Sequence, residues 1–390
     1  MRKIPFKNIV VGISGGVDSA VAALLLKNKG YRLQGVFMRN WDIVDEKTTC
    51  TGDQDWEDAQ RVCNHLKIPL IYVNFVKEYW NNVFTQFLRD YESGLTPNPD
   101  ILCNRFIKFD NFFAFATRAD KLNADAIATG HYARNSFGNF LEHFCPESNV
   151  KLLQARDSMK DQTFFLSSVP QRALRRTMFP LGDFTKDQVK TMARDAGMGF
   201  LLRKKESTGI CFIGHRNFQD FISEYISTKP GKLVDIDTGS VVGSHNGIHN
   251  WTVGQRCRLA GFPQPYFIAQ KDCNSNIIFV AEGSKNPALY SKVFHTESPY
   301  WIAEDCLPRL GEGFECLFRF QHRKPLTKCQ LERDSAAPGG LLVTLENPLR
   351  AITPGQYAVF YGETECYGCA RITTTICGEE APEQEYKVLC

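Results

Sequence analysis

Gly12-Ile13-Ser14-Gly15-Gly16-Val17-Asp18-Ser19 has the composition of an anion cradle. Paired glycines let backbone N–H groups turn toward one point, two serines add hydroxyl donors, and a following helix would aim its positive end at the same place. The lysine of G-x-x-x-x-G-K-[ST] is absent, and G-x-G-x-x-G does not fit either, so the loop is neither of the kinase and GTPase kind nor dinucleotide-binding. Two cysteines also stand in punctuated, charged contexts. Cys103 follows Thr96-Pro97-Asn98-Pro99-Asp100-Ile101-Leu102, where two prolines predict a loop running into a helix over Phe106–Thr117. A thiol near a helix N-terminus is favoured as thiolate. Cys211 lies between Gly209 and Gly214, behind the basic run Arg203-Lys204-Lys205, and nearby cations act in the same direction. Cys366-Tyr367-Gly368-Cys369 has metal-like spacing, but no second pair completes four ligands, so it reads as a strand-turn cysteine pair with no metal site.

The surrounding pattern says what must hold these groups. Asn8–Ile13 is a β-branched run ahead of the cradle, and Asp18–Lys29 is apolar at helical spacing with Gly30 as its stop. Strands over Leu33–Met38, Pro69–Val73 and Asp125–Thr129 alternate with helices over Trp56–Leu66 and Tyr79–Tyr91, which predicts a parallel sheet covered on both faces. The cradle then lies at the carboxyl edge of that sheet, where α/β proteins take their ligands. Thr185–Ala196 reads as a helix with the T-x-x-Q capping box of Thr185 and Gln188. Residues 136–149 read as a loop with no recognisable chemistry. Short runs over Asn276–Ala281, Glu315–Phe320, Leu341–Leu345, Gln356–Tyr361 and Tyr367–Ile372, separated by Gly, Pro and Asn, predict an all-β barrel. Between these parts a Gly-rich stretch with one helix, Asn217–Ile226, reads as a small connecting domain. The divisions fall at 1–208, 209–282 and 283–390.

With 390 residues the chain is long enough for two or three domains. Forty-six basic against 43 acidic residues leave a net charge of only +3, so any polyanion must be met by a local basic face rather than by bulk charge. Arg172, Arg175 and Arg176 form one such candidate cluster. Fourteen scattered cysteines point to a reducing compartment rather than a disulfide framework, and no apolar run is long enough to cross a membrane. Met1–Lys7 is basic and acid-free, as a fragment of an organelle-targeting segment would be.

The S-G-G-x-D-S core resembles the pyrophosphatase loop of enzymes that split ATP into AMP and pyrophosphate while adenylating an oxygen. T-P-N-P-D-I-L-C-N at Thr96–Asn104, G-H-Y-A-R at Gly130–Arg134, K-D-Q-T-F-F-L at Lys160–Leu166, G-I-C-F-I-G at Gly209–Gly214, W-T-V-G-Q-R at Trp251–Arg256 and T-P-G-Q-Y-A-V-F-Y at Thr353–Tyr361 are similar to the motifs of tRNA-specific 2-thiouridylases. Asn40-Trp41-Asp42, Lys77-Glu78-Tyr79-Trp80 and F-R-F-Q-H at Phe318–His322 resemble its mitochondrial animal branch.

That resemblance implies a fold, a reaction and a set of sites. The fold is a pyrophosphatase-loop α/β domain, a connecting domain and a tRNA-contacting β-barrel. The reaction replaces the 2-oxygen of the wobble uridine with sulfur in tRNAs reading Lys, Glu and Gln codons, consuming ATP and releasing AMP and pyrophosphate. Gly12, Ile13, Ser14, Gly15, Gly16, Val17, Asp18 and Ser19 would hold ATP with transient Mg²⁺, which Asp18 would help to hold, and Met38 and Gly130 would contact the adenosine. Cys211 would carry the persulfide, Cys103 would be its partner thiol, through a Cys103–Cys211 disulfide or as nucleophile, and Asp100 would be a general base or a uracil-binding group. Asn98, Pro99, Asp100 and His131 would meet the flipped anticodon base, and Lys160, Asp161, Gln162, Arg319, Phe320 and Gln356 would contact tRNA. A cysteine desulfurase or sulfur-relay protein would supply the persulfide to a monomer in the mitochondrial matrix, the alternative being the cytoplasm. An amidating ligase or a lysidine synthetase with the same loop would need neither cysteine, and a noncatalytic RNA-binding protein would also leave Asp18 and Asp100 unused.

Overall fold

The computed structural model describes residues 6–41, 51–204, 212, 213, 216–303 and 313–380. Strand β1 (Asn8–Gly12) buries Ile9, Val10 and Val11 in succession, as a strand covered on both faces must. It leads through the cradle into α1 (Val17–Asn28), whose Ala20–Ala23 and Leu26 pack inward. Next come β2 (Arg32–Arg39), α2 (Thr51–Leu66), β3 (Leu70–Asn74) and β4 (Ala126–Ala128). The sheet runs β3-β2-β1-β4 and ends on Thr177–Met178, with every pairing parallel. All the predicted parallel strands are present; the edge strand Thr177–Met178 is too short to show in the pattern.

The helix carrying Cys103 departs from its expected start. It begins with Pro99–Leu102, continues as a wide π-helical stretch over Cys103–Phe112 and ends with Phe113–Thr117. Two prolines were expected to hold this stretch as a loop, but Pro99 occupies the first helical position. There its fixed φ suits the helix and its missing N–H costs nothing. Asn98, at φ −121° and ψ 91°, is the last extended residue. Cys103 therefore lies one turn inside the helix, and the N-terminal N–H groups belong to the neighbourhood of Asp100.

Residues 231–282, the larger part of the expected connecting segment 209–282, form a five-stranded sheet, and it includes the run Asn276–Ala281 that was expected in the barrel. Four of its strands are Gly231–Asp235, Val241–His245, Tyr266–Asp272 and Ile277–Glu282. The helix ahead of it is shorter than expected, Phe218–Ser223, and is capped by the Asn217 side chain.

The barrel is closed by six strands, because Tyr290–Thr296 pairs with Leu341–Arg350 on one side and with Glu365–Cys377 on the other. Phe294, Phe318, Leu331, Val343, Phe360 and Ile372 fill it. Residues 134–153 do more than interrupt the first domain: Arg134–Asn135 pairs with Leu152–Leu153, which pairs in turn with Glu365 and Cys366 of the last barrel strand. Barrel and α/β domain thus share one hydrogen-bonded sheet. Among the described residues no helix is long and apolar enough to cross a membrane.

Candidate active site

The cradle is built from the bottom by glycines. Gly15 sits at φ +73°, which a side chain would strain, under the backbone of Asp55 in α2. A Cβ on Gly130 would stand 2.6 Å from the amide nitrogen of Ser19, so only glycine lets β4 end directly against α1. The Met38 methyl would meet a Cβ on Gly12 at 3.4 Å, which places it beside the cradle. Ser14 donates its amide to the Ser19 hydroxyl at 3.1 Å, and that hydroxyl donates to the Gly16 carbonyl at 3.0 Å. Gly16 starts α1 and no side chain caps it. The first-turn N–H groups are left for an anion, and the site fits a phosphate chain on this ground.

The cation missing from the motif comes from far along the chain. Lys186 opens the helix Lys186–Asp195 behind the capping box of Thr185 and Gln188, and its ammonium donates to both carboxylate oxygens of Asp18 at 2.8 Å. The Tyr132 hydroxyl donates to the same carboxylate at 2.9 Å. Asp18 is thus held by a protein cation in this structure. Among the described residues no group of three His, Cys, Asp or Glu side chains could hold a metal ion.

The residue after Gly130 links the cradle to the thiol helix. His131 is 9% exposed, and its Nε2 lies 3.3 Å from the Lys108 ammonium while Nδ1 lies 2.8 Å from the Thr129 hydroxyl. An ammonium can only donate, so Nε2 accepts and the proton sits on Nδ1. Burial first, then the Lys108 charge, hold this imidazole well below the usual histidine range. Its ring packs near Phe109 and Phe179. Both ring nitrogens have protein partners. The Asp100 carboxyl is pushed up by burial and pulled back by the Lys108 charge. Cys103 is buried on the same helix.

Cys211 lies outside the described residues. On one side of it Lys204 is ion-paired with Asp55 and with Asp58, at 2.9 Å for the latter. On the other side Phe212 is fully buried among Trp41, Tyr79, Phe84, Phe87 and Phe221.

The residues expected to touch tRNA take structural partners. Asp161 is 1% exposed and bonded at 2.7 Å to Arg319, which is 6% exposed and also donates to the Tyr361 hydroxyl at 3.1 Å. Phe320 is buried parallel to Phe318. Gln162 accepts from the Tyr132 amide at 2.9 Å, and the Lys160 amide donates to Asp157. Gln356 donates to the carbonyls of Thr96 and Pro97, at 2.8 and 3.2 Å, and accepts from Asn98 at 3.4 Å. Arg319 with Asp161 and Gln356 with Thr96 and Pro97 dock the barrel onto the α/β domain, and Gln356 steadies the stretch ahead of buried Pro99. The arginine cluster also divides, Arg172 pairing with Asp110 and Arg176 donating to the Ala124 and Asp125 carbonyls. Cys366 and Cys369 are buried in the last barrel strand, and burial pushes the Cys369 thiol up to about 11.

Sequence reasoning missed Lys186, Tyr132 and Lys108. Only the capping box ahead of Lys186 marked its position, and nothing local connected it to Asp18.

Three domain families match the chain: the tRNA methyl transferase HUP domain over residues 7–215, the tRNA methyl transferase PRC-barrel domain over 219–282 and the aminomethyltransferase beta-barrel domain over 291–372. The mitochondrial tRNA-specific 2-thiouridylase 1 of Drosophila melanogaster is 56% identical over 369 residues, 94% of each chain. The Homo sapiens protein of that name is 48% identical over 383 residues, 94% of this chain and 90% of that one. The tRNA-specific 2-thiouridylase MnmA 2 of Geobacillus kaustophilus is 44% identical over 372 residues, 94% of this chain and 95% of that one. With identity of this order spread over nearly the whole length, the cradle, the Cys103 helix and the barrel are parts of one inherited design, and the chain belongs to the tRNA-specific 2-thiouridylase family.

Proposed function

We propose that the chain is a tRNA-uridine 2-sulfurtransferase that activates the 2-oxygen of the wobble uridine with ATP and replaces it with sulfur from a cysteine persulfide, giving 2-thiouridine, AMP and pyrophosphate in tRNAs reading Lys, Glu and Gln codons. The observation that carries the reading is the junction at residues 130–131. Gly130 abuts the nitrogen of Ser19 in the phosphate cradle, and His131 binds Lys108 on the helix of Asp100 and Cys103. The cradle and the helix that carries Cys103 are thus joined through one short segment, which supports the reading.

ATP, when bound, supplies the phosphorus that turns a poor leaving oxygen into a good one. Gly12–Ser19 would hold its phosphates with backbone N–H groups and hydroxyls, Met38 and Gly130 would flank the adenosine, and Mg²⁺ would enter with the nucleotide rather than wait on Asp18. Asp100 takes or orients the uracil proton, and Cys103 and Cys211 handle the sulfur, Cys211 carrying it and Cys103 resolving the persulfide. Residues 1–208 bind ATP and supply Asp100 and Cys103, 209–282 connect and supply Cys211 at their start, and 283–390 engage the anticodon stem-loop together with Lys160 and Gln162. The protein acts as a monomer in mitochondria, in the matrix, and takes its persulfide from a cysteine desulfurase or a sulfur-relay protein.

The test is to incubate the protein with ATP, Mg²⁺, sulfide and unmodified Lys-, Glu- or Gln-reading tRNA, then to digest the RNA and weigh its nucleosides. ATP-dependent 2-thiouridine is the expected product. Full product formation by the Cys103→Ser, Cys211→Ser double variant would exclude sulfur transfer through these thiols.

A further inference from the structure

Two cysteines of the barrel stand against each other, away from the cradle and from Cys103. The strands Phe314–Arg319 and Thr327–Arg333 run antiparallel, and their register sets Cys316 directly opposite Cys329. Directly opposed residues of such a pair share one face of the sheet, with Cα atoms about 4.5–5.5 Å apart, inside the range of about 4.4–6.8 Å that a disulfide spans. Here both are free thiols and their Sγ atoms lie 3.5 Å from each other. On the same face Phe314 opposite Leu331 and Phe318 opposite Thr327 flank them, and none of these four is charged. Cys329 is buried in the barrel core, whereas Cys316 is half-buried, so a small reagent meets Cys316 first. The segment between the two cysteines carries the grip on the α/β domain. Arg319 holds the Asp161 carboxylate at 2.7 Å, and Nε2 of His322 donates to the Asp161 carbonyl at 2.8 Å. A bond between Cys316 and Cys329 would therefore close the foot of the hairpin whose tip grips Asp161.

We propose that Cys316 and Cys329 form a reversible dithiol–disulfide site, closed by a low-molecular-weight disulfide and reopened by the corresponding thiol, which staples the hairpin that grips Asp161. The Cys316 thiolate attacks one sulfur of the small disulfide, leaving a mixed disulfide and expelling one small thiolate. The Cys329 thiol then gives up its proton and attacks the Cys316 sulfur, which expels the second small thiolate. One disulfide bond breaks and one forms, the two cysteine protons pass to the two released thiolates, and the two electrons lost by the cysteine pair reduce the reagent. The hydrogen bond with Cys316 first, and burial second, hold the Cys329 thiol well above its usual range, in keeping with Cys316 as the first to react. The second step is intramolecular between sulfurs already in contact, and this favours closure over a lasting mixed disulfide. In a reducing compartment the pair rests open, and it closes as the small disulfide accumulates. Neither Cys103 nor Cys211 takes part.

The experiment equilibrates the full wild-type chain with mixtures of oxidised and reduced glutathione at fixed total concentration, traps the free thiols by alkylation, and weighs the peptides after digestion. The Cys316–Cys329 cross-link is expected to be half-formed at an oxidised-to-reduced ratio about tenfold or more below the one that half-modifies the exposed, isolated Cys377. Hydrogen exchange, measured on the same samples, should show the amides of Phe314–Arg333 exchanging about tenfold more slowly once the pair is closed. Dithiothreitol should reverse both changes, and Cys316→Ser, a replacement at the half-buried position, should abolish both. The Cys103→Ser, Cys211→Ser double variant should form the same cross-link at the same ratio. Cys316 and Cys329 both still alkylated where Cys377 is modified, or Cys316 held as a glutathione adduct, would overturn the proposal without need of any variant. A cross-link that leaves hairpin exchange unchanged would overturn the staple, and a cross-link lost in the double variant would show that the oxidation comes from the other two thiols instead.

Discussion

Lys186 holds both carboxylate oxygens of Asp18 at 2.8 Å across 168 residues of sequence. The pair ties the helix Lys186–Asp195 to the first turn of α1, so the cradle depends on a segment that contributes nothing to its motif. Lys186→Met takes the ammonium from Asp18 while Tyr132 still donates to it, and Asp18→Asn removes the carboxylate charge that faces the Lys186 ammonium. We expect each single variant to lose about 1–3 kcal/mol in urea unfolding and the double variant to lose less than the sum, the signature of direct coupling in a double-mutant cycle.

Arg319 and Asp161 form a pair more deeply buried than this one. Arg319→Met leaves the buried Asp161 carboxylate with the Ala155 amide and the Thr163 hydroxyl as donors but without the counter-charge of the guanidinium. A loss of about 3–5 kcal/mol is expected, with the barrel and the α/β domain melting separately in calorimetry. A single unchanged transition would show that the pair does not join them.

Gln356 gives a way to separate sulfur transfer from nucleotide binding. Gln356→Ala removes two bonds to the Thr96 and Pro97 carbonyls, leaves ATP binding intact, and is expected to cost about 1–2 kcal/mol of stability. The expected kinetic result is at least a tenfold fall in 2-thiouridine formation at unchanged ATP affinity. Equal loss of both would mean that the barrel supports the cradle rather than the stretch ahead of Asp100.

The pH dependence of stability has a definite sign. His131, His245, His249 and His322 are all held below the ordinary histidine value, in each case first by burial. On acidification the unfolded chain therefore takes up protons before the folded one. Stability is full above about pH 6.5 and falls as the pH drops below it. Asp100, raised in the fold, works in the opposite direction at lower pH. Urea midpoints between pH 7.5 and 5 should decline, and His131→Asn should reduce the slope; a flat profile would mean that these histidines protonate without unfolding.

What could be read from the sequence was local. The cradle, β1, α1 and the Thr185 cap each lie within a dozen residues, where periodicity and turn chemistry act. Pro99 misled because a proline signals both the end of one element and the first position of the next, and only Asn98 at the helix entrance decides between them. Lys186, Lys108 and Arg319 could not be assigned partners because charge complementarity has no sequence spacing. Asp161 and Arg319 did carry a signal, since both lie in recognisable motifs, but a motif marks a position without saying whether it faces a ligand or another domain.

The strand pairing of Leu152–Leu153 with Glu365 and Cys366 has a consequence for synthesis. The hairpin leaves the ribosome more than 200 residues before its partner, so the finished α/β domain must present an unpaired strand edge while both later domains are made. That wait leaves the edge open to pairing with other chains, and a holding chaperone that covers residues 134–153 should raise the yield more than one acting on the barrel alone.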